Sequence, residues 1–257
     1  MAKRSASRKG QAQLLCRMLR LFYDKGWVAG TGGGICAVNG PKSVLMAPTG
    51  VHKEAVKPSD LFVVDRRSGA VIRPPKSRSL TVSECAPIFC AIMNRRSEDQ
   101  DFGELSRAAL PVRARGAGAS EDKGRIIRTG PRYKQIGSVM HSHALSSVLA
   151  ADLAGDRDHI VMEGLEMLKG IRGVSNQSKH AVPVIHNTSR ERDLLDEIRR
   201  VLENPLFEET FCILVRDHGA YIWGEDIWET KRHAEVYHFL FEAVVARSER
   251  NQSSLPR

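Results

Sequence analysis

Apolar residues recur with a helical period between Gln11 and Lys25, at Leu14, Leu15, Met18, Leu19 and Phe22, and Gly26 supplies a stop. Short β-type runs follow at Ile35 to Val38, Val44 to Ala47 and Leu61 to Asp65. They are punctuated by Gly30-Thr31-Gly32-Gly33-Gly34, Asn39-Gly40-Pro41, Pro48-Thr49-Gly50 and a polar turn through Gly69. A helix is predicted over 83–94 with Ser83 as its cap, and a strand over Ile136 to Met140 that runs into His141-Ser142-His143. Further helices are expected over 144–153 and within 158–170. A strongly amphipathic helix is predicted over 188–202, with Leu194, Leu195, Ile198 and Val201 on one face. Phe211 to Val215 and Ala220 to Trp223 read as strands joined through Arg216-Asp217-His218-Gly219, and a last helix runs from Asp226 to about Arg247. Sequential strands with helices interspersed predict an α/β architecture, a mixed sheet covered on both sides.

Between 95 and 134 the periodicity stops. Charges of both signs, glycines and prolines replace large apolar residues, which reads as an inserted surface loop. The expected organisation is a basic tail at 1–10, one domain over 11–247 carrying that insertion, and a second tail at 248–257.

Composition narrows the function classes. Mean hydropathy is −0.30 and no run approaches the roughly 18 apolar residues of a membrane span, so a membrane bundle is excluded. Net charge is +9, from 39 Lys and Arg against 30 Asp and Glu, which favours an anionic partner. The basic residues are dispersed and no aromatic-basic module accompanies them, so a phosphorylated small molecule is expected rather than nucleic acid. Lys3, Arg4, Arg8 and Lys9 stand in a Ser-rich opening without the apolar core of a secretory signal. Five scattered cysteines, an odd count without any Cys-x-x-Cys pair, predict a reducing cytoplasm rather than a disulfide framework.

Three features carry candidate chemistry. His141 and His143, two apart at a strand end, project from one face and can share a metal ion, with His218 in its tight connection as a third ligand. The same pair also reads as two polar residues closing a strand. Gly30 to Gly34 brings backbone N–H groups toward an anion, with Thr49, Gly50 and the charge of Lys53 nearby, or forms a flexible turn. It is neither a Walker A loop nor a dinucleotide fingerprint, because it lacks Gly-Lys-Ser/Thr and runs from helix to strand. Glu166, among Met162, Leu165 and Met167, is expected either as a desolvated carboxylate with a raised pKa or as a solvated glutamate near Lys169. The remaining histidines are assigned to solvent or to satisfied hydrogen bonds.

Together these residues resemble the class II aldolase/adducin family. The resemblance is carried by Gly26 to Ile35, Ala47 to Glu54, Cys85 to Phe89, His141 to His143, Glu166 to Ile171 and Val215 to Gly224, and spans about Leu14 to Ala246 apart from the insertion. It implies a three-layer α/β/α sandwich with a mixed, largely antiparallel sheet, assembled as a homotetramer with active sites near subunit interfaces. It further implies one Zn2+ per subunit on His141, His143 and His218, and Glu166 as the acid/base. Gly33, Gly34, Thr49, Gly50 and Ser83 match positions that hold a substrate phosphate. Position 85 separates the branches: aldolases resemble one another in a glutamate there, whereas Cys85 is similar to the substrate-contacting cysteine of a dehydratase branch. The activity implied is zinc-dependent dehydration of 5-methylthioribulose 1-phosphate to 2,3-diketo-5-methylthiopentyl 1-phosphate, in methionine salvage. Alternatives are a sugar-phosphate aldolase or epimerase, or a non-catalytic adducin-like interaction module, whose expected loss of metal ligands is not seen. Two departures stand out: the insertion, and Gly164 where relatives commonly carry histidine.

Overall fold

The structure is a computed structural model that describes residues 8–77, 79–95 and 135–253. A nine-stranded sheet organises them. Its strands are β1 (Gly34–Val38), β2 (Ser43–Met46), β3 (Phe62–Asp65), β4 (Val71–Arg73), β5 (Ser138–Ser142), β6 (His159–Met162), β7 (His180–Ile185), β8 (Cys212–Val215) and β9 (Gly219–Gly224). In space they run β4-β3-β2-β1-β5-β9-β8-β7-β6, so β5 is central. Only β7 and β8 pair in parallel, and every other neighbouring pair is antiparallel.

Helices cover both faces. On one side lie α1 (Arg8–Asp24), α3 (Leu145–Asp152) and α5 (Ile227–Ser253), packed on one another and on β1, β5, β8 and β9. On the other lie α2 (Ala86–Asn94) and α4 (Leu195–Glu203), packed together and against β5 and β7. The central strands are buried on both faces, as a sheet between two helical layers requires. This is the three-layer α/β/α arrangement. No helix among the described residues is long and apolar enough to cross a membrane.

Several boundaries differ from the sequence reading. The stretch 158–170 is not one helix: Ile160 and Met162 point inward and Val161 outward, a two-residue period that makes β6. Gly164, at φ +66°, then turns the chain into a 3-10 turn over Glu166–Gly170. The amphipathic helix begins at Leu195 rather than 188. Arg190 is extended and the Thr188 hydroxyl donates to its carbonyl, so local side-chain bonding replaces the first helical turns, and a 3-10 turn over Glu191–Leu194 leads in. Similarly, α2 starts at Ala86 with Pro87 in its first turn, and the Ser83 hydroxyl accepts the Cys85 N–H ahead of the helix instead of capping it. β4 and β7 carried no signal that the sequence reading used. The expected C-terminal tail is helical as far as Ser253, and Arg8 to Gly10 already belong to α1. Of the expected insertion, residues 96–134 lie outside the described residues, as do 1–7 and 254–257.

Candidate active site

β5 delivers the first histidine. His141 is fully buried near the end of that strand, opposite Tyr221 of β9, and the two rings stack at 4.2 Å with planes 6° apart. Its Nδ1 bonds the Ala220 carbonyl at 3.2 Å. His143, just past the strand, is anchored by its backbone N–H to the Trp27 carbonyl at 2.8 Å. Its ring lies against Gly32, where a Cβ would stand 2.5 Å from Nδ1.

His218 comes from the turn between β8 and β9. Asp217 before it adopts φ 52°, and Gly219 after it approaches the Ser142 carbonyl so closely that no Cβ fits. His218 Nδ1 meets Asn187 Oδ1 at 3.0 Å. The turn is therefore locked against β5 and the 187–191 loop together.

The three rings converge through Nε2: His143 to His141 at 2.9 Å and His141 to His218 at 3.1 Å. The Nδ1 partners of His141 and His218 are both oxygen acceptors, which places the proton on Nδ1 and leaves the Nε2 lone pair facing inward. Burial, and then His141 and His218, push His143 down to about 3, so it is a neutral imidazole at neutral pH. Lone pairs turned toward one another repel unless a cation lies between them. Zinc–nitrogen bonds of about 2.0–2.1 Å in tetrahedral geometry separate ligand atoms by roughly 3.3 Å, close to the spacing seen. The donor set fits a zinc-type metal.

Glu191 joins the same cluster, its Oε1 lying 3.1 Å from His141 Nε2 and 3.5 Å from His218 Nε2. Burial works to raise its carboxyl, but the adjacent His141 and His218 and the Cys85 S–H outweigh burial and hold it well below the usual carboxylate range. The sequence reading missed Glu191, which sat inside the stretch assigned to the amphipathic helix.

A cleft of about 550 Å3 opens over the cluster. Thr31, Gly32, Gly33, Thr49, Gly50, Ser83 and Cys85 line one wall, and Asn187 to Glu191 the other, with Asp217, His143 and His218 also exposed to it. Lys53 is buried, and its ammonium donates to the carbonyls of Thr31 (2.8 Å), Val51 (3.2 Å) and Pro48 (3.4 Å). It ties the glycine loop to the 48–51 loop and sets a positive charge behind the cleft wall. Burial lowers its pKa. The Cys85 thiol donates to Glu191 Oε2 at 2.8 Å, and burial together with that carboxylate raises its pKa well above the ordinary thiol value. Cys85 is thus a neutral hydrogen-bond donor.

Two expected site residues lie elsewhere. Gly34 is not on the cleft wall: it pairs with His141 in the β1–β5 ladder, with its Cα face toward the Lys53 stem. Glu166 is not in the cleft of its own chain, and it is not desolvated. Its side chain is 70% exposed and bonds Lys169 and Asn176, both at 2.7 Å, and the Lys169 bond lowers its pKa instead of raising it. The reason is local: Leu168 takes the buried position of the 3-10 turn and Glu166 faces out.

The sequence model of the Class II Aldolase and Adducin N-terminal domain matches residues 13–100 and 131–245, breaking within the unpatterned stretch. The chain is 34% identical over 249 residues to a methylthioribulose-1-phosphate dehydratase of Aquarana catesbeiana, covering 94% of this chain and 86% of the relative. It is 31% identical to the protein of the same name in Schizosaccharomyces pombe, covering 95% of this chain and 92% of that one. The crystal structure of YgbL from Klebsiella pneumoniae superposes with a TM-score of 0.66 at 12% identity, covering 93% of this chain and 90% of the other, a likeness of fold.

Proposed function

The chain belongs to the class II aldolase and adducin family, and from that premise we propose that it is a hydro-lyase that dehydrates 5-methylthioribulose 1-phosphate in methionine salvage. The observation that carries the reading is the convergence of three imidazoles, two of them open to a cleft lined with backbone amides and hydroxyls. Such a site takes a ligand with a ketone at one end and a phosphate at the other. Cys85 favours dehydration over carbon–carbon cleavage, because the wall position offers a neutral thiol where the aldolase branch presents a carboxylate.

His141, His143 and His218 would hold a zinc ion, which when bound would supply Lewis acidity to the substrate ketone. Gly33, Thr49, Gly50 and Ser83 hold the phosphate through amides and hydroxyls, with the Lys53 charge behind them, which orients the reacting carbons. Cys85 holds Glu191 through its S–H and turns its sulfur to the cleft beside the substrate. Glu166 takes the C3 proton and returns it to the C4 hydroxyl, which departs as water as the C3–C4 double bond forms, leaving an enol that ketonises to the 2,3-diketone. Since Glu166 faces solvent in its own chain, it performs this step in the cleft of a second copy, within a homotetramer. Lys169 and Asn176 keep it ionised for that purpose. Five free cysteines fit a cytoplasmic setting.

The test is to incubate the zinc-loaded protein with 5-methylthioribulose 1-phosphate and follow products. Formation of the diketone phosphate and water supports the reading. Retro-aldol fragments without diketone, or no turnover of this ketose by the zinc-loaded protein, overturn it.

A further inference from the structure

We infer that Glu191 is a fourth protein ligand of the metal, carried by the loop that aims His218 and fixed by the Cys85 thiol. The inference rests on the metal-site part of the reading above, not on the identity of the substrate.

Its first support is geometric. Four of the six separations among His141 Nε2, His143 Nε2, His218 Nε2 and Glu191 Oε1 are 2.9, 3.1, 3.1 and 3.5 Å, near the roughly 3.3 Å edge of a tetrahedral zinc shell, and all the donor atoms lie within 4.8 Å of one another. Three nitrogens alone would leave one corner of that figure open, and Oε1 lies beside His141 and His218 where it can reach that corner. The second support is charge. The Glu191 side chain is 19% exposed, and no lysine or arginine pairs with it among the described residues. Lys53 faces Glu191 only at longer range, its ammonium being committed to three carbonyls, and Arg190 turns to Asp193 at 3.2 Å. A mostly buried anion beside imidazoles whose protons are spent on Ala220 and Asn187 calls for a cation among them.

The third support is how the carboxylate is held. Oε2 receives the Cys85 S–H while Oε1 turns to the histidines, so the two oxygens have separate tasks. Asn187 and Glu191 lie four residues apart on one loop, which closes on fully buried Leu194. One loop movement therefore changes both the aim of His218 and the presence of the fourth ligand. A carboxylate on a loop is the exchangeable member of such a set, and a substrate oxygen reaching the metal takes its corner.

The experiment measures metal rather than turnover. Zinc affinity is determined by chelator competition on the full chain, and the visible absorption of the Co2+-substituted protein reports coordination number and ligand type. Glu191→Gln is expected to weaken zinc by more than the roughly 10- to 100-fold typical of losing an outer partner, and to alter the Co2+ bands. Cys85→Ala is expected to shift the bands in the same direction with a smaller affinity loss. Should Glu191→Gln fail to fold, Glu191→Asp withdraws the oxygen by one methylene and is expected to show the same changes in weaker form. Unchanged affinity and an unchanged Co2+ spectrum in either folded variant overturn the assignment, as does a wild-type chain that takes up no metal. A wild-type protein that binds metal with these variant effects, yet does not dehydrate the ketose phosphate, would sink only the function proposed above.

Discussion

Replacing Gly32 with alanine isolates one contact behind the metal centre. Gly32 lies outside the left-handed backbone region, so an added methyl meets no backbone strain. It does meet the His143 ring, at 2.5 Å from Nδ1 and 2.8 Å from Cε1. Restoring van der Waals contact requires about 1 Å of retreat, several times the roughly 0.2 Å tolerance of a metal–ligand distance. His143 must then leave the ligand set or drag the 29–33 loop with it. Overpacking of this kind costs about 1–3 kcal/mol, a fall of roughly 3–10 °C in the Tm of the metal-free protein. Zinc affinity is expected to drop by at least about 10- to 100-fold. Gly30→Ala is the control: nothing lies within 4 Å of its Cβ, but φ is +63°, so it costs about 1–2 kcal/mol of strain without touching a ligand. The assay pairs thermal unfolding of the metal-free chains with chelator competition. Wild-type zinc affinity in Gly32→Ala, or equal losses of affinity in both variants, would refute the role given to His143.

Two further outcomes are expected. Glu166→Gln and His141→Ala, each inactive alone, should regain activity when co-assembled, because one interface then joins an intact Glu166 to an intact cluster; no recovery in mixed oligomers would show that Glu166 does not act across subunits. His180 and His238 are buried and burial lowers each to about 4, so between pH 6.5 and 4 the unfolded chain binds more protons and stability falls as pH falls, by about 2 kcal/mol per histidine from pH 7 to 5. Urea unfolding of His238→Gln at both pH values checks this, and a pH dependence as steep as that of the wild type would contradict it.

The histidine cluster was legible because strand geometry is local. A two-residue period puts His141 and His143 on one side whatever surrounds them, and the short His218 connection leaves little choice of direction. The glycine loops were legible for the same reason, with positive φ at Gly30, Gly33 and Gly50. Glu191 was not. Its neighbours Leu194, Leu195 and Ile198 carry a helical period that is real from Leu195 onward, and only the Asn187 and Thr188 side-chain bonds show that the chain enters it late. Glu166 follows the second of its two sequence readings, a solvated glutamate bonded to Lys169, because its apolar neighbours belong to a strand edge and a 3-10 turn and do not surround the carboxylate. His238 meets the expectation of satisfied hydrogen bonds, bonding Ser142 at 2.8 Å while stacking on Trp27, whereas His233 bonds the Trp223 carbonyl at 2.7 Å through Nδ1 and leaves its buried Nε2 without a partner among the described residues. β7 went unread because its six residues are held by β6 and β8 from opposite sides, a pairing that leaves no mark on local pattern.

The central place of β5 has a consequence during synthesis. One edge of that strand finds β1 from far upstream, but the other stays open until residues 219–224 have left the ribosome. A growing chain thus carries an unpaired strand edge and an incomplete set of imidazoles while residues 143–218 are being added. Premature capture of a metal by two histidines is weak, and the binding centre matures in the same event that seals the sheet, so a chain truncated before β9 is expected to be both aggregation-prone and metal-free.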